Sequence, residues 1–298
     1  MASVSIITVT MNHLPLLKRY LESVSRYVDD SHDVEMLIVD NCSTDGTVEF
    51  VRQHYPWVRL FVNNRVRGFA ANNNFAIRHS RGEYLVLLNP DIELLPKALD
   101  NLLGFMESHP DVGLAGPKLL NQDLTVQYSS RRFINAYTLL LRLLNWGADT
   151  PRQERLIEYL MKRMDRRYPQ PVDWLIGAAM IVRRQAAEEV GLMDEKYFLY
   201  IEDQDWCYRM WKAGWKVYYL PNAQMIHVHQ RASVRRVMLR LTYHHARSLF
   251  YFLLKHRIIR IPPPGPFLTD WQSKTSRTQP RKPAIAIPPL ESVERKAG

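Results

Sequence analysis

The sequence predicts an α/β fold: a mostly parallel, Rossmann-like sheet flanked by helices. Three observations point there. Short, continuous apolar runs recur at residues 4–11, 34–39, 58–62 and 84–88. Segments with apolar residues at helical spacing alternate with them, at 14–27, 45–54, 68–79 and 96–107. The runs are too uniformly apolar for strands with one wet face, as expected of parallel strands buried on both sides. Local signals agree. Pro96 lies near the first turn of the fourth helix, and Ser43 or Thr44 is available to cap the second.

In open α/β sheets, ligands bind beyond the carboxyl ends of the strands. Those ends here carry Thr8 and Thr10, Asp40 and Asn41, Asn63 and Asn64, then Asn89 and Asp91. Polar side chains at four strand ends should share one rim.

The rest of the chain is less regular. Residues 138–146 and 154–167 read as helices, 172–183 as a strand or strand pair, and 202–213 as a helix. Residues 216–220 and 224–228 read as strands, and 234–257 as a long basic, amphipathic helical stretch. From Pro262 onward the Pro-rich, polar composition predicts a disordered tail. The expected organisation is a catalytic unit at 1–233, a helical extension at 234–261 and a tail at 262–298. Within the catalytic unit, 1–120 would be the nucleotide-binding half and 121–233 the acceptor and catalytic half.

The 298 residues are 46% hydrophobic with a formal net charge of +10. That charge calls for an anionic partner: nucleic acid, a phosphorylated substrate or an anionic membrane surface. Cys42 and Cys207 form neither a disulfide framework nor a zinc spacing, which favours a reducing compartment. The opening Met1-Ala2-Ser3-Val4 lacks the segments of a signal peptide. No run approaches the roughly 18–20 apolar residues that span a bilayer. The expected location is cytoplasmic.

Several stretches carry chemistry. Asp40 and Asn41 bring a carboxylate and an amide to the rim, where the carboxylate can accept the imide N–H of uracil or thymine. The same residues fit an Asx turn. Arg65 and Arg67 precede Gly68 at a helix start, and Asn72, Asn73 and Asn74 follow, a combination that favours phosphate. Asn89-Pro90-Asp91 ends a strand with hard oxygen ligands suited to Mg²⁺ or Mn²⁺ on a diphosphate; it also reads as a strand stopped by Asn-Pro. Glu202, Asp203 and Asp205 follow the aromatic run at 197–200, and a semi-buried acid among like charges is a candidate general base. His227 and His229, two apart on a strand, point to one face.

Taken together, these stretches resemble the family 2 glycosyltransferases of the GT-A fold, especially bacterial rhamnosyltransferase-like members, over roughly residues 3–235. The resemblance rests on five motifs in order. They are Ser5-Ile6-Ile7-Thr8-Val9-Thr10; Val39-Asp40-Asn41 with Ser43 and Asp45-Gly46; Gly68-Phe69 with the three asparagines; Asn89-Pro90-Asp91; and Glu202-Asp203 with Asp205, followed by Gly214-Trp215. It implies that Thr8, Thr10, Asp40 and Asn41 hold the nucleoside, with Arg67, Gly68, Asn72 and Asn89 near the rest of the donor. Asp91 would be the main carboxylate on Mg²⁺ or Mn²⁺, because Asn89 replaces the first acid of the family's Asp-x-Asp pattern. His227 would be a second metal or diphosphate ligand, with His229 its competitor. Asp203 would be the base of an inverting transfer supported by Glu202, with Gly177 and Asp205 on the acceptor side.

The implied substrates are a dTDP- or UDP-linked sugar, rhamnose first, and a glycan or polyprenyl-linked acceptor for cell-surface polysaccharide. No nucleic-acid partner is expected. The basic extension would either dock on an anionic inner leaflet or pack as an ordinary helix with a solvated face. Two other classes make different demands on the sequence. A nucleotidyltransferase should carry a Gly-rich, basic loop after the first strand, where this chain has Thr10-Met11-Asn12-His13-Leu14. A nucleic-acid-binding protein should cluster its basic residues on one face with exposed aromatics, whereas much of the excess lies in the C-terminal third.

Overall fold

The computed structural model describes residues 2–28, 32–133, 159–228 and 235–257. The first half alternates β1 (Ser3–Thr10), α1 (Leu14–Tyr27), β2 (Asp33–Asp40), α2 (Thr47–His54), β3 (Arg59–Val62), α3 (Phe69–His79) and β4 (Tyr84–Leu88). There follow β5 (Ile92–Leu94), α4 (Ala98–Ser108), β6 (Val112–Leu120) and β7 (Ser130–Arg131). The second half contains β8 (Gln170–Pro171), β9 (Trp174–Leu175), β10 (Ala179–Arg183), α5 (Arg184–Val190), α6 (Glu202–Ala213), β11 (Lys216–His227) and α7 (Arg235–His256).

The main sheet runs β3-β2-β1-β4-β10-β6-β11-β5, with β8 added beside β11. Its first four strands are parallel. Thr10 lies opposite Asp40, and Asp40 opposite Val62, so the polar strand ends do share one rim. Beyond β4 the sheet is mixed, because β10 enters antiparallel between β4 and β6. Apolar clusters cover both faces. One gathers α1 and α4 around Ile6, Val86 and Leu102; the other gathers α3, α5 and α6 around Ile7, Leu87 and Trp206.

Several sequence expectations change. Strand β6 was not expected, since Gly113, Gly116 and Pro117 punctuate it like a turn. Burial on both faces overrides those residues, and a Cβ at Gly116 would come within 2.8 Å of Leu175. Segment 172–183 does split into two strands, but they belong to different sheets. The strands expected at 216–220 and 224–228 form one strand, β11, with a register shift between Leu220 and Gln224. Helix α2 begins at Thr47, and its cap is neither Ser43 nor Thr44: the Asp45 carboxylate accepts from the Thr47 N–H and also from the Leu14 N–H that opens α1. The helix expected at 138–146, most of that at 154–167, His229 and the tail lie outside the described residues.

Helix α7 packs on the catalytic unit. Leu249 and Phe252 bury against Tyr197 and Ile201. Asp205 anchors the contact. Its fully buried carboxylate meets His256 Nε2 at 2.7 Å, Arg209 Nε at 2.8 Å, Lys255 Nζ at 3.0 Å and the Tyr197 hydroxyl at 3.2 Å. Asp194 accepts from Lys255 at 2.7 Å and Tyr251 at 3.0 Å. The expectation that Asp205 faces the acceptor is therefore corrected: its oxygens are consumed by cations inside the protein. Burial alone would push this carboxyl up, but His256, Arg209 and Lys255 outweigh it and hold it well below the usual carboxylate range. A depressed carboxylate stabilises the fold above its unfolded value of 3.8, and that contribution is lost as pH falls below it.

Asp205→Asn should leave Arg209 without its buried counter-charge, and Lys255 with Asp194 alone, and destabilise the protein by about 3 kcal/mol. Thermal melts at neutral pH should show the loss, with faster tryptic cleavage within α7. An unchanged melt and an unchanged cleavage pattern would remove the clasp from the account.

Candidate active site

The rim opens into a cleft of about 600 Å³. Thr10, Asn41, Arg67, Asn72, Asn89 and Asp91 line it, together with Phe69 and the segment Phe198-Leu199-Tyr200. Local chemistry explains how each is held. Asp40 ends β2 with its side chain buried; one carboxylate oxygen accepts from the Ser43 N–H at 2.9 Å and the other has no partner among the described residues. One oxygen of Asp40 thus makes the Asx turn, and the other remains unpaired among the described residues. Asn41 Oδ1 accepts from the Arg67 N–H, and its Nδ2 donates to the Arg67 carbonyl. Asn63 bridges Asn41 and Asn72 through its Nδ2. Three amides therefore clamp the backbone at Arg67 and present that residue to the cleft.

The asparagine run after Gly68 is divided in role. Asn73 bonds back to the Phe69 carbonyl, while Asn74 exchanges bonds with Met193 and reaches Glu195, tying α3 to the loop before α6. Gly68 is explained by packing. A Cβ there would sit 2.8 Å from the Phe198 carbonyl oxygen, and the first helical N–H, at Phe69, already donates to that oxygen at 3.0 Å. The Phe198 carbonyl takes the place that the phosphate expectation reserved for an anion. Thr8 also departs from expectation: its hydroxyl pairs with the Tyr20 phenol at 2.7 Å inside the protein, outside the cleft lining.

A second corner forms where β5 and β11 pair, with His227 opposite Ile92. His227 Nε2 is 3.4 Å from Asp91 Oδ2, while Asp91 Oδ1 is buried without a partner. Gln127 fixes the imidazole. Its Nδ2-equivalent amide nitrogen, Nε2, donates to the Asn121 oxygen at 2.7 Å and the His227 carbonyl at 2.8 Å, so its Oε1 faces His227 Nδ1 at 2.8 Å. That orientation makes Nδ1 the donor and turns Nε2 toward Asp91. A carboxylate oxygen and an imidazole nitrogen 3.4 Å apart are ligand types that suit a Mg²⁺ or Mn²⁺ ion. Among the described residues no third histidine, cysteine or carboxylate joins them, so such an ion takes its other oxygens from ligand and water.

The acidic start of α6 lies beside this rim. Asp203 accepts from the Gly177 N–H at 2.8 Å and the Gln204 N–H at 2.7 Å. A Cβ at Gly177 would meet Asp203 at 3.4 Å and the cleft-lining Phe69 at 3.6 Å. Burial pushes Asp203 up, to about 6, and the Gly177 and Gln204 donors with the Arg131 charge moderate the rise. Glu202 is pushed well above its ordinary value, first by burial and then by Asp203 beside it. Both acids therefore hold a proton more readily than exposed carboxylates do.

Comparison with known proteins identifies this arrangement. The profile of glycosyl transferase family 2 matches residues 5–191. The chain belongs to that family. It is a glycosyltransferase that uses a nucleotide-sugar donor, which removes the nucleotidyltransferase and nucleic-acid-binding readings. The sequence is 31% identical over 262 residues to an N-acetylglucosaminyl-diphospho-decaprenol L-rhamnosyltransferase of Mycobacterium tuberculosis, covering 84% of each chain. It is 26% identical over 268 residues to rhamnosyltransferase WbbL of Escherichia coli, covering 86% of this chain and 94% of that one. Two solved structures share the GT-A fold. GalNAc-T7 with UDP, GalNAc and Mn²⁺ superposes with a TM-score of 0.63 at 16% identity, over 85% of this chain and 48% of that one. The Pyrobaculum calidifontis mannosyltransferase PcManGT with GDP-Man and Mn²⁺ gives 0.59 at 18%, over 91% and 68%.

Several residues of this glycosyltransferase site escaped sequence reasoning. Asn63 was noted only as a strand end, and Gln127 and Arg131 stand in segments without a motif. Gln127 touches His227 across 100 residues of sequence. No local pattern marks such a pair.

Gly68→Ala should force the Phe198 backbone away from α3, lowering stability by about 1–3 kcal/mol and weakening nucleoside-diphosphate binding. A thermal melt and a calorimetric titration check this. A variant matching the parent in both would show that the cleft wall tolerates the extra methyl.

Proposed function

We propose that this enzyme transfers a sugar, rhamnose first among candidates, from a dTDP- or UDP-linked donor to a hydroxyl of a polyprenyl-diphosphate-linked glycan. The reading rests on its similarity to the mycobacterial and Escherichia coli rhamnosyltransferases. It places the enzyme at the cytoplasmic face of a membrane, in cell-surface polysaccharide synthesis. Residues 1–120 act as the donor half and 121–233 as the acceptor half of one catalytic unit, followed by the extension at 234–261.

One observation carries the division of labour. The buried polar atoms that lack partners include Thr10 Oγ1, Arg67 Nε and Asp91 Oδ1 on residues that line the cleft, and Asp40 Oδ1 on the strand end beside Thr10. Unpaired buried acceptors and donors are costly, which is reasonable only where a ligand completes them. Asp40 Oδ1 accepts the imide N–H of a thymine or uracil base. Arg67 meets the donor's phosphates, its loop held by Asn41, Asn63 and Asn72. Asp91 and His227 hold Mg²⁺ or Mn²⁺, a choice supported by the Mn²⁺ in the solved neighbours' complexes. The bound cation neutralises charge on the diphosphate.

Asp203 acts as the base. It takes the proton from the acceptor hydroxyl as that oxygen bonds to the anomeric carbon. The bond from that carbon to the diphosphate oxygen breaks, its electron pair leaves with the nucleoside diphosphate, and the configuration inverts. Gly177 and Gln204 aim the Asp203 carboxylate, and burial next to Glu202 raises its basicity. A backbone bond from Asn89 to the Ala178 carbonyl, 2.9 Å long, sets the metal corner and the base side by side.

Asp203→Asn should lower kcat by about 10²-fold or more while nucleotide-sugar binding persists; turnover like the parent's would end the base assignment. In the parent, log(kcat/KM) should fall as pH drops below about 6, because protonated Asp203 cannot accept. A profile flat well into the acid range would contradict this. Asp91→Ala and Gln127→Leu should both weaken Mn²⁺ binding to the enzyme–nucleoside diphosphate complex, the latter by about 10-fold through loss of the imidazole's orientation. Calorimetry with Mn²⁺ reads this without turnover, and undiminished binding in both variants would move the metal elsewhere.

A further inference from the structure

Helix α7 has two faces with different chemistry. Its inner face holds the cleft wall: Ser248 donates to the Leu199 carbonyl at 3.0 Å, and the His244 ring stacks on Phe198 at 5.0 Å. Its outer face carries Tyr243, Arg247, Phe250 and Leu254, at spacings of four, three and four residues, which put them on one helical stripe. Tyr243 is 65% exposed, Phe250 65% and Leu254 60%. Arg247 is exposed within the stripe, and Arg257 is exposed one residue past the helix end. Leu249 and Phe252, which point the opposite way, are buried.

We propose that this outer stripe docks on an anionic phospholipid bilayer. The charge is complementary: no Asp or Glu occurs anywhere in residues 235–257, while Arg247 and Arg257 flank the apolar positions. An amphipathic helix with aromatic and leucine side chains between arginines lies in the headgroup plane with its apolar side down. Among the described residues no helix is long and apolar enough to cross a membrane, so contact is from the surface. The proposal rests on the reading that the acceptor is lipid-linked, and it adds the surface that meets the lipid. Because the same helix grips Phe198 and Leu199, docking brings the cleft wall next to the bilayer that carries the acceptor. The strained backbone there, with Tyr200 at φ 69° and Ile201 at φ 73°, is held in place by these contacts.

The test is flotation of the full chain with phosphatidylcholine vesicles, with and without phosphatidylglycerol, at moderate salt. The parent should float with the anionic vesicles and not with the neutral ones. Arg247→Glu should lower vesicle partitioning by at least about fivefold, and the double variant Phe250→Ser/Leu254→Ser should also detach. Both should keep the parent's melting temperature and its rate on a water-soluble acceptor. A parent that stays unbound, or variants that float like the parent, would overturn the proposal. So would sedimentation showing a parent dimer that the stripe variants abolish while their flotation is unchanged. Flotation reads docking without any transfer, so a failure of the acceptor assignment would appear separately, as binding without activity on lipid-linked substrate.

Discussion

The structure turns on the antiparallel entry of β10 beside β4. Parallel strands β1 to β4 build a donor-type rim by themselves, but a rim of strand ends is open on one side. Strand β10 closes it by pairing Ala179 with Leu88 and by offering the Ala178 carbonyl to Asn89. Gly177, immediately before, then donates to Asp203. A few consecutive residues thus fix the spacing between the carboxylate proposed to hold metal and the carboxylate proposed to take a proton. Reaction geometry is sensitive to about an ångström, and here it is set by sheet hydrogen bonds rather than by flexible side chains.

Around that junction, polar side chains serve the scaffold before they serve a ligand. Asn41, Asn63 and Asn72 satisfy one another and the Arg67 backbone. Asn41 and Asn72 each supply donor and acceptor at once, which a carboxylate in the same place could not do. Asn74 joins α3 to residues 193 and 195, and the Phe198 backbone seats against Gly68. Unpaired buried atoms on Thr10, Arg67 and Asp91 belong to residues that line the cleft, with Asp40 beside Thr10 in the sheet, whereas those on Ser129, Ser130 and Gln204 do not.

Electrostatics divides the acidic start of α6 in the same way. Asp203 and Asp205 lie two residues apart on one helix, yet their environments push them in opposite directions. Asp203 is buried, and rises despite its backbone donors. Asp205 is surrounded by Arg209, Lys255 and His256, and falls. One is equipped to exchange a proton near neutrality, whereas the other stays ionised and locks α7 to the cleft wall.

The sequence by itself determined the parallel half of the fold and the location of the rim. Continuous apolar strands followed by polar ends leave little choice about which faces are buried and where ligands can approach. It also determined the order of the motifs, and with it the family. Tertiary structure decided the rest. Gly and Pro in β6 read as punctuation until burial between β10 and β11 shows why small residues stand there. Thr8 and Thr10 are equivalent in pattern, and only the position of Tyr20 sends one into the protein and leaves the other on the cleft. Asp205 sits in an acidic motif beside Asp203, but its partners come from 50 residues further along the chain. Gln127 has no motif, and only the fold brings it to His227. Periodicity records which face of an element is wet; it holds no record of which distant side chain will arrive to pair with a given polar group.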